Sequence, residues 1–384
     1  MKNFLVTTPI KESFGPSKKN IFLGMWCLIK KTENLKRYKF INYHWSNKKK
    51  FKKDVVYIDK TTDRLCKILS KKLNKIHNLN EDYDYWKLLI YPWTHHYVST
   101  MYDRWENIKT FLKLNRKKNI TSYQLKMNEN SFTPKNHLDF IKNTYKDTWN
   151  HLAFIRILKY LNPKEIKIIR KNFKNLEKDS NIKFIEEKKT FSNFIVNFYE
   201  LLIAKFAFRF NKIILESFSF PTKGFLKISL KNLIIPSLYK YLFKDIGVKE
   251  ALDFEQRQTE FKVLNRNKFN DKFFDFLEKN LIHDLPISYY ENFLMIREKM
   301  LQLANKKKII ISMRSWNYND QFKICAAELM KKKSQYYTCE HGGGLVGEFI
   351  HIRNYIGQIS GHIHYDIDSS YNKKSFRLSP TINV

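Results

Sequence analysis

The stretch that decides the fold is Lys308–Gly344, which reads KIIISMRSWNYNDQFKICAAELMKKKSQYYTCEHGGG. Its first six residues (KIIISM) predict a strand, and Gln335–Cys339 predicts a second one. Between them, Asn319 and Asp320 provide a cap for a helix that runs to about Lys332. Strand, crossover helix and strand form a βαβ unit, which brings the two strands side by side in parallel.

The same alternation of strands and helices occurs near the N-terminus. Short β-rich segments at Phe4–Thr7, Ile21–Cys27 and Lys39–Trp45 predict three strands. Thr62–His77 carries an apolar stripe typical of a helix, and a second helical pattern covers His96–Leu114. Strands that alternate with helices predict an α/β layer fold.

The length of 384 residues predicts two domains. Asn115–Ser180 is polar and lysine-rich, which is typical of a long connection with one or two helices. Asn193–Phe208 is apolar around most of its circumference and predicts a buried helix, and Asn211–Ser217 predicts the strand that begins a second α/β lobe. The predicted lobes are residues 1–210, which include a helical insertion, and residues 211–384.

The composition is that of a folded protein with a strong basic bias. Hydrophobic residues make up 43% and aromatic residues 16% of the chain, which excludes a disordered tail protein. The net charge of +34 favours nucleic acid or an anionic membrane as a partner. Only 13 of the 71 basic residues are arginine, and the lysines are scattered, which favours a compositional bias over a nucleic-acid surface. A basic nucleic-acid-binding protein remains the alternative interpretation.

The sequence predicts a cytoplasmic protein that at most rests on the inner face of the membrane. Its four cysteines form no CxxC pair and are too few for a disulfide framework in a chain of this length. The N-terminal residues MKNFLVTTPIKESFG lack the apolar core of a signal peptide. No apolar run approaches the ~20 residues that a membrane-spanning helix needs.

Three consecutive glycines, Gly342–Gly344, follow the second strand of the βαβ unit in a chain with only 10 glycines. Open α/β sheets bind ligands at this edge, and glycine lets backbone N–H groups approach a phosphate closely. His341 precedes the glycines and can donate to phosphate or transfer a proton near neutral pH. A tight turn packed against a helix is the alternative interpretation of this loop.

Five of the seven tryptophans lie in the first 105 residues, among histidines and charged side chains. Tryptophan rings beside His, Asp and Arg suit a sugar-binding cleft, where ring faces meet C–H patches and charged groups hold hydroxyls. Periodicity favours the alternative of an aromatic-rich core in which Asp103 pairs with Arg104 or a neighbour. The set comprises Trp26, His44, Trp45, Tyr85, Trp86, Trp93, His95, His96, Tyr102, Asp103, Arg104 and Trp105.

The motifs of several other site chemistries are missing from the sequence. Neither HExxH nor a Cys/His quartet occurs, and the adjacent His95 and His96 point in different directions, so no metal site is expected. The lack of GxSxG, a Walker loop and GxGxxG argues against α/β hydrolases, P-loop enzymes and dinucleotide oxidoreductases.

Eight motifs, in order along nearly the whole chain, resemble a family of transferases found in bacterial O-antigen and surface-carbohydrate biosynthesis clusters. They are TTPIKESFG (7–15), IFLGMWC (21–27), YHW (43–45), LNKIH (73–77), YDYWKLLIYPW (83–93), YDRW (102–105), DLPISYYENF (284–293) and CEHGGGL (339–345). The resemblance implies two Rossmann-like lobes of glycosyltransferase-B type with added helices. It also implies transfer of an activated sugar, or a related unit, from a nucleotide-sugar to a glycan or lipid-linked acceptor, without a cofactor.

The candidate site residues are residues of these motifs, together with Arg314. We expect Asp103 to activate the acceptor hydroxyl and His341 to stabilise the leaving phosphate. The expected donor and phosphate-binding residues are Gly342, Gly343, Gly344 and Arg314, and the expected acceptor-binding residues are Thr8, Trp26, His44, Arg104 and Glu291. Most of the tryptophans are expected to be structural.

The sequence departs from the family pattern after the glycine loop, because only 384 − 344 = 40 residues follow Gly344. Members of the family continue through a further αβ region with a Trp-rich signature. We therefore expect an incomplete second lobe, and a truncated, noncatalytic member of the family is a second alternative.

Overall fold

The computed structural model describes residues 3–16, 19–28, 38, 40–116, 119–173, 191–217, 222–237, 239, 242–243, 252–261, 271–304, 308–339, 361–365 and 375–378. The strands in these ranges are β1 Asn3–Val6, β2 Asn20–Phe22, β3 Ile120–Leu125, β4 Ile166–Lys171, β5 Ile213–Glu216, β6 Ile309–Ser312, β7 Gln335–Cys339, β8 Gly361–Tyr365 and β9 Ser375–Leu378. The helices are α1 Lys48–His77, α2 Tyr83–Leu114, α3 His137–Thr144, α4 Asp147–Leu161, α5 Phe191–Phe210, α6 Thr222–Lys231, α7 Phe254–Phe261, α8 Lys272–Asp284, α9 Phe293–Leu303, α10 Ser315–Tyr318 and α11 Asp320–Lys331.

The strands form two parallel sheets, which confirms the predicted α/β class. One sheet has the order β2-β1-β3-β4 and the other the order β5-β6-β7-β8-β9. All pairings between these strands are parallel. Parallel strands need crossover connections, and most of the helices occupy these crossovers.

The predicted βαβ unit is present as β6, α11 and β7. Ile310 pairs with Tyr336, in parallel register. Asn319 caps α11, since its side chain accepts a hydrogen bond from the Phe322 backbone N–H at 3.0 Å. The helix buries Phe322, Ala326 and Leu329, as the spacing of these apolar residues predicts.

Two of the three strands predicted near the N-terminus are wrong in extent or in kind. The segment predicted as Ile21–Cys27 is a strand only to Phe22, and a 3₁₀ helix covers Met25–Leu28. This turn is held by Trp26 and Cys27, whose side chains donate to the carbonyl oxygens of Thr7 and Val6.

The prediction of a strand at Lys39–Trp45 fails more completely. Phe40 makes one isolated parallel bridge to Phe22, and a 3₁₀ helix follows at His44–Ser46. The Trp45 indole donates to Asp54 of α1 at 3.0 Å, so tertiary contacts with helices override the local strand preference.

The prediction of a buried helix at Asn193–Phe208 is wrong in its burial. The helix forms as α5, but it packs against the protein along one side only, through Ala204, Ala207 and Phe208. Large apolar side chains such as Phe198 and Leu202 are exposed. An apolar circumference indicates that a helix can be buried on every side, whereas the number of neighbouring elements decides whether it is.

The predicted polar connection Asn115–Ser180 is more structured than expected. Its described residues contain β3, β4, α3 and α4. β3 is central in the first sheet, between β1 and β4, and Thr121 and Ser122 of this strand are buried. The lysines in this region lie mainly on exposed positions, which masks the short apolar patterns of the strands.

The long helices α1 and α2 pack along each other and form the middle of the molecule. α2 also contacts α4, α8 and α11. Three of its aromatic side chains, Trp86, Trp93 and Tyr97, are completely buried. One hydrophobic cluster therefore connects the first sheet to the second, from Leu5 in β1 to Tyr336 in β7.

A buried carboxylate, Asp320 at the start of α11, joins elements from both halves of the chain. Its Oδ2 accepts hydrogen bonds from the His137 backbone N–H at 2.9 Å and from the Ser288 hydroxyl at 2.6 Å. Its Oδ1 accepts from the Tyr289 hydroxyl at 2.7 Å and pairs with Lys323 Nζ at 2.9 Å. Burial lowers the pKa of Lys323, and the Asp320 carboxylate opposes that shift.

Glu278 of α8 is a second buried carboxyl group, and its effect on the stability of the fold depends on pH. Its Oε1 is buried and has no hydrogen-bond partner among the described residues. Burial raises the pKa of Glu278 to about 7, although the Arg64 guanidinium opposes the shift. Because the pKa of Glu278 in the folded state exceeds its ordinary value, the protonated carboxyl contributes fully to the stability of the fold below pH 4.5. This contribution is lost as the pH rises through 7 and the buried group becomes charged.

We expect Glu278→Gln to raise the melting temperature at pH 8, by about 2 °C or more, and to leave it nearly unchanged at pH 4.5. Thermal unfolding of the variant and the wild type at both pH values measures this difference. Glu255→Gln, at an exposed position of α7, is the matched control and should show no such dependence. An equal effect of Glu278→Gln at both pH values would contradict the raised pKa of Glu278.

Candidate functional site

The candidate site begins at the carboxyl end of β1. In the first sheet, the chain leaves β1 toward β2 on one side and leaves β3 toward β4 on the other, so the connections diverge between the neighbouring strands β1 and β3. Open α/β sheets bind ligands at such a switch point, outside the carboxyl ends of the strands. Thr7 and Thr8 follow β1 directly and are buried at this edge.

A cleft of about 600 Å³ opens at this edge of the sheet. Its size is that of a small-molecule site, and its walls combine apolar rings with a few polar groups. The lining residues are Thr8, Met25, Trp26, Phe40, Ile41, Asn42, Tyr43, Ser46, Asp103, Arg104, Asp147, Asn150 and Phe154.

Asp103 is the centre of the polar side of the cleft. Its carboxylate accepts hydrogen bonds from the Tyr43 hydroxyl at 2.7 Å and from Arg104 Nη1 at 2.6 Å. His44 Nε2 lies 3.0 Å from Oδ1 of the same carboxylate. Burial by itself raises the pKa of Asp103, but the Arg104 guanidinium and the bonds from His44 and Tyr43 outweigh it and hold the pKa below its ordinary value.

Asp103 is therefore ionised at neutral pH, and its neighbours act as donors. Burial and the adjacent carboxylate raise the pKa of Tyr43, so its hydroxyl keeps its proton. An ionised carboxylate only accepts hydrogen bonds, so the proton of His44 lies on Nε2. His44 is buried and lies behind Asp103, outside the set of residues that line the cleft.

Arg104 is oriented from two sides. Besides Asp103, it binds Oδ1 of Asn150 through Nε at 3.1 Å and Nη2 at 2.9 Å. The amide of Asn150 in turn donates to the carbonyl oxygens of Thr144, the last residue of α3, and of Lys146, which precedes α4. The cleft therefore presents a fixed guanidinium that can hold an anionic or hydroxyl-bearing ligand.

Thr8 and Trp26 form the wall nearest the sheet. The Trp26 indole N–H donates to the Thr7 carbonyl at 3.0 Å, which fixes the ring at the edge of the cleft. Thr8 is 1% exposed, and its Oγ1 has no hydrogen-bond partner among the described residues. A buried hydroxyl without a partner carries a free-energy cost, which a polar group of a ligand in the cleft would remove.

The structure thus brings together five of the residues that the sequence singled out. Thr8, Trp26, Asp103 and Arg104 line one cleft, and His44 supports Asp103 from behind. Only the tertiary structure shows this grouping, since the residues come from the segment after β1, from two 3₁₀ helices and from α2.

Glu291 does not line this cleft. Its carboxylate binds Arg257 through two hydrogen bonds of 2.6 Å, and Arg257 also donates to the carbonyl oxygens of Ile282 and Leu285. Both side chains of this pair are buried, so a structural ion pair accounts for Glu291.

The expected donor residues fall in the other half of the chain. Arg314 follows β6, is exposed and occupies the N-cap position of α10. His341, Gly342, Gly343 and Gly344 lie outside the described residues, which stop at Cys339 in this region. Their roles, and a shared cleft with Asp103, remain predictions.

The aromatic set from the sequence divides between core and cleft. Trp86, Trp93 and Trp105 are buried in the hydrophobic core, as the structural interpretation expects, and only Trp26 lines the cleft. The thiol of Cys27 is also structural, since burial raises its pKa to about 12.

Five polar residues of the cleft are not among the residues that the sequence predicts for a site. Asn42 and Tyr43 lie in the segment whose pattern predicts a strand, and Ser46 ends the 3₁₀ helix that follows. Asp147 and Asn150 lie in α4, within the predicted connection. The one sequence signal for these residues is the YHW motif, which contains Tyr43. Asp147 and Asn150 belong to no motif.

Among the described residues, no three His, Cys, Asp or Glu side chains are placed to share a metal ion.

The sequence model of one family, described as LIC12162 family transferase, matches residues 3–350. The match includes every element of the cleft. No curated protein and no solved structure matches the chain.

The Asp103 cluster makes a stability prediction. Asp103→Asn removes a buried charge that satisfies three donors, so we expect it to lower the free energy of unfolding at pH 7 by roughly 3 kcal/mol. Because the folded-state pKa of Asp103 is lowered, this contribution is present above the ordinary value of 3.8 and is lost as the pH falls through the folded-state value.

Urea unfolding of the variant and the wild type between pH 3 and pH 8 measures this difference. Asp84→Asn, at an exposed position in the first turn of α2, is the control and should have little effect. A stability difference that grows toward acid pH would show that Asp103 is not held ionised by its neighbours.

Proposed function

The chain belongs to the LIC12162 family of transferases, and on that premise we propose that it is a cytoplasmic glycosyltransferase of glycosyltransferase-B type. It transfers a sugar from a nucleotide-activated donor to an acceptor of a bacterial surface glycan such as O-antigen. The acceptor is a glycan or a lipid-linked sugar.

The observation that carries this proposal is the placement of Asp103, hydrogen-bonded to Arg104, in one cleft with Trp26. An aromatic ring, a fixed carboxylate and a fixed guanidinium are the groups that hold a sugar, through its C–H face and its hydroxyls. The hydroxyl of Thr8, which has no partner among the described residues, adds a further polar group to the lining of the cleft. The volume of about 600 Å³ is sufficient for a sugar unit.

In the proposed reaction, the oxygen of an acceptor hydroxyl attacks the anomeric carbon of the donor sugar. The bond between that carbon and the phosphate oxygen breaks, and the nucleotide leaves with the bonding electron pair. The acceptor hydroxyl loses its proton, so the products are the glycoside, the free nucleotide and one proton. The protein has to orient the hydroxyl, receive or relay its proton and stabilise the charge on the leaving phosphate.

Asp103 is suited to the acceptor side of this reaction. A carboxylate offers about four acceptor positions, and the hydrogen bonds from Tyr43, His44 and Arg104 occupy three of them. The remaining position, on Oδ2, can accept an acceptor hydroxyl. We propose that Asp103 binds and activates this hydroxyl, and that His44 is a positioning residue that keeps the carboxylate in place.

The donor side of the proposal uses residues from the other half of the chain. The glycine loop Gly342–Gly344 and Arg314 would bind the donor phosphates, and His341 would stabilise the leaving phosphate. Support comes from β7, a strand of the parallel second sheet that ends at Cys339, three positions before Gly342 in the sequence.

The test is release of nucleotide from a panel of nucleotide-sugars with a lipid-linked glycan acceptor. We expect Asp103→Asn to lower kcat by about 10²–10⁴-fold, because the carboxylate acts on the proton that is lost in the transition state. His44→Gln should lower kcat less, since it acts through Asp103. Asp84→Asn is the control and should keep the wild-type rate.

Because Asp103→Asn is expected to be less stable, Thr8→Val provides a second variant of the cleft. It removes one polar contact at nearly constant volume and should raise KM for the acceptor several-fold. Wild-type rates in both folded cleft variants would exclude this cleft as the site. Failure of every nucleotide-sugar to release nucleotide or to raise the melting temperature would exclude an active glycosyltransferase.

A further inference from the structure

The outer side of α5 exposes a concentrated set of apolar side chains. Further exposed apolar side chains lie on α6 and at Leu233, two residues after the end of α6. Of the twenty large hydrophobic residues that are exposed among the described residues, twelve lie within residues 194–233. We call this the α5–α6 surface. Its exposed apolar residues are Phe194, Ile195, Val196, Phe198, Tyr199, Leu201, Leu202, Phe206, Phe210, Leu226, Leu230 and Leu233.

The surface is attached firmly to the protein on its inner side. Glu200 of α5 is 1% exposed and accepts a hydrogen bond from Ser237 at 3.1 Å. The Tyr199 hydroxyl donates to the Pro236 carbonyl at 2.7 Å, and Asn211 donates to the carbonyl of Ile235 at 3.0 Å. The segment that follows α6 is therefore fastened to α5, which keeps the exposed side chains on a structured support.

The charges of the same region have one sign. The basic residues within 194–233 are all exposed and are Lys205, Arg209, Lys212, Lys223, Lys227 and Lys231. The acidic residues in this range are Glu200 and Glu216, and both are buried. The surface therefore presents apolar groups and positive charge together, without an exposed carboxylate.

We propose that the α5–α6 surface binds the face of an anionic phospholipid bilayer. Apolar side chains of a surface helix enter the boundary between head groups and acyl chains, while lysine and arginine remain at the level of the anionic head groups. Nucleic acid would pair with the charges but not with the twelve apolar side chains, and an ordinary protein interface is depleted in lysine. No helix among the described residues has the length and apolarity to span a membrane, and the proposed contact lies within one face of the bilayer.

The experiment is sedimentation of the full-length protein with vesicles, without any transferase substrate, so its outcome is separate from that of the proposed function. We expect binding to vesicles of phosphatidylcholine with 30% phosphatidylglycerol at least about tenfold tighter than to pure phosphatidylcholine, and weaker binding at high salt. Equal affinity for both vesicles, or no binding to either, would overturn the proposal.

Two sets of variants separate the surface from the net charge of the whole protein. The combined Phe198→Ser, Leu202→Ser and Phe206→Ser variant should weaken binding by at least about tenfold. Its matched control changes three exposed apolar residues elsewhere, Val56→Ser, Leu114→Ser and Leu294→Ser, and should bind as the wild type does. Equal loss in both would overturn the assignment to this surface.

Charge reversal provides the second set. The combined Lys223→Glu, Lys227→Glu and Lys231→Glu variant should weaken binding by at least about tenfold. The control with Lys53→Glu, Lys60→Glu and Lys71→Glu on α1 has the same net charge and should retain binding. Circular dichroism establishes that each variant is folded. If the serine variant instead turns a wild-type dimer into a monomer, and neither binds vesicles, the surface is an interface between copies and the proposal fails.

Discussion

The requirement that a buried carboxylate be surrounded by donors organises the connection between the two halves of this protein. Asp320 is 4% exposed and meets it with a backbone N–H, two hydroxyls and the ammonium of Lys323. These donors come from α3, the 287–289 turn and α11, so the network forms only when α11 is seated against elements from the first half of the chain. Because α11 connects β6 to β7, the network also fixes the position of the second sheet relative to α2 and the helices around it.

The same requirement shapes the cleft. Asp103 takes donors from the 43–44 segment and from Arg104 of α2. Arg104 in turn donates to Asn150 of α4, so these side chains tie three parts of the chain together around the cleft. A cleft at a switch point of a parallel sheet is thus combined with a charge cluster whose members hold one another in place. The α5–α6 surface differs from both, since it concentrates exposed apolar side chains instead of buried charges.

Much of the fold could be predicted from short-range patterns. The βαβ unit, the cap at Asn319 and the α/β class follow from local periodicity, and the structure confirms them. The strand predicted at Lys39–Trp45 is wrong because His44 and Trp45 bind residues of α2 and α1, which local preference does not contain. The candidate site was predictable in part, because Asp103, Arg104, Thr8 and Trp26 stood in motifs. Asp147 and Asn150 belong to no motif. A residue that reaches a cleft only through the tertiary fold has no characteristic spacing in the sequence that would predict it.

The amino-acid sequence was sufficient for the alternation of strands and helices, the basic bias and the chemical types available for a site, because these are properties of neighbouring residues. The tertiary structure decided which tryptophans are core and which one lines the cleft, that Glu291 is paired with Arg257, and that α5 is exposed along one side. Burial and charge pairing depend on residues tens to hundreds of positions apart. Their free energies arise only when the chain has brought those residues together and removed the water between them.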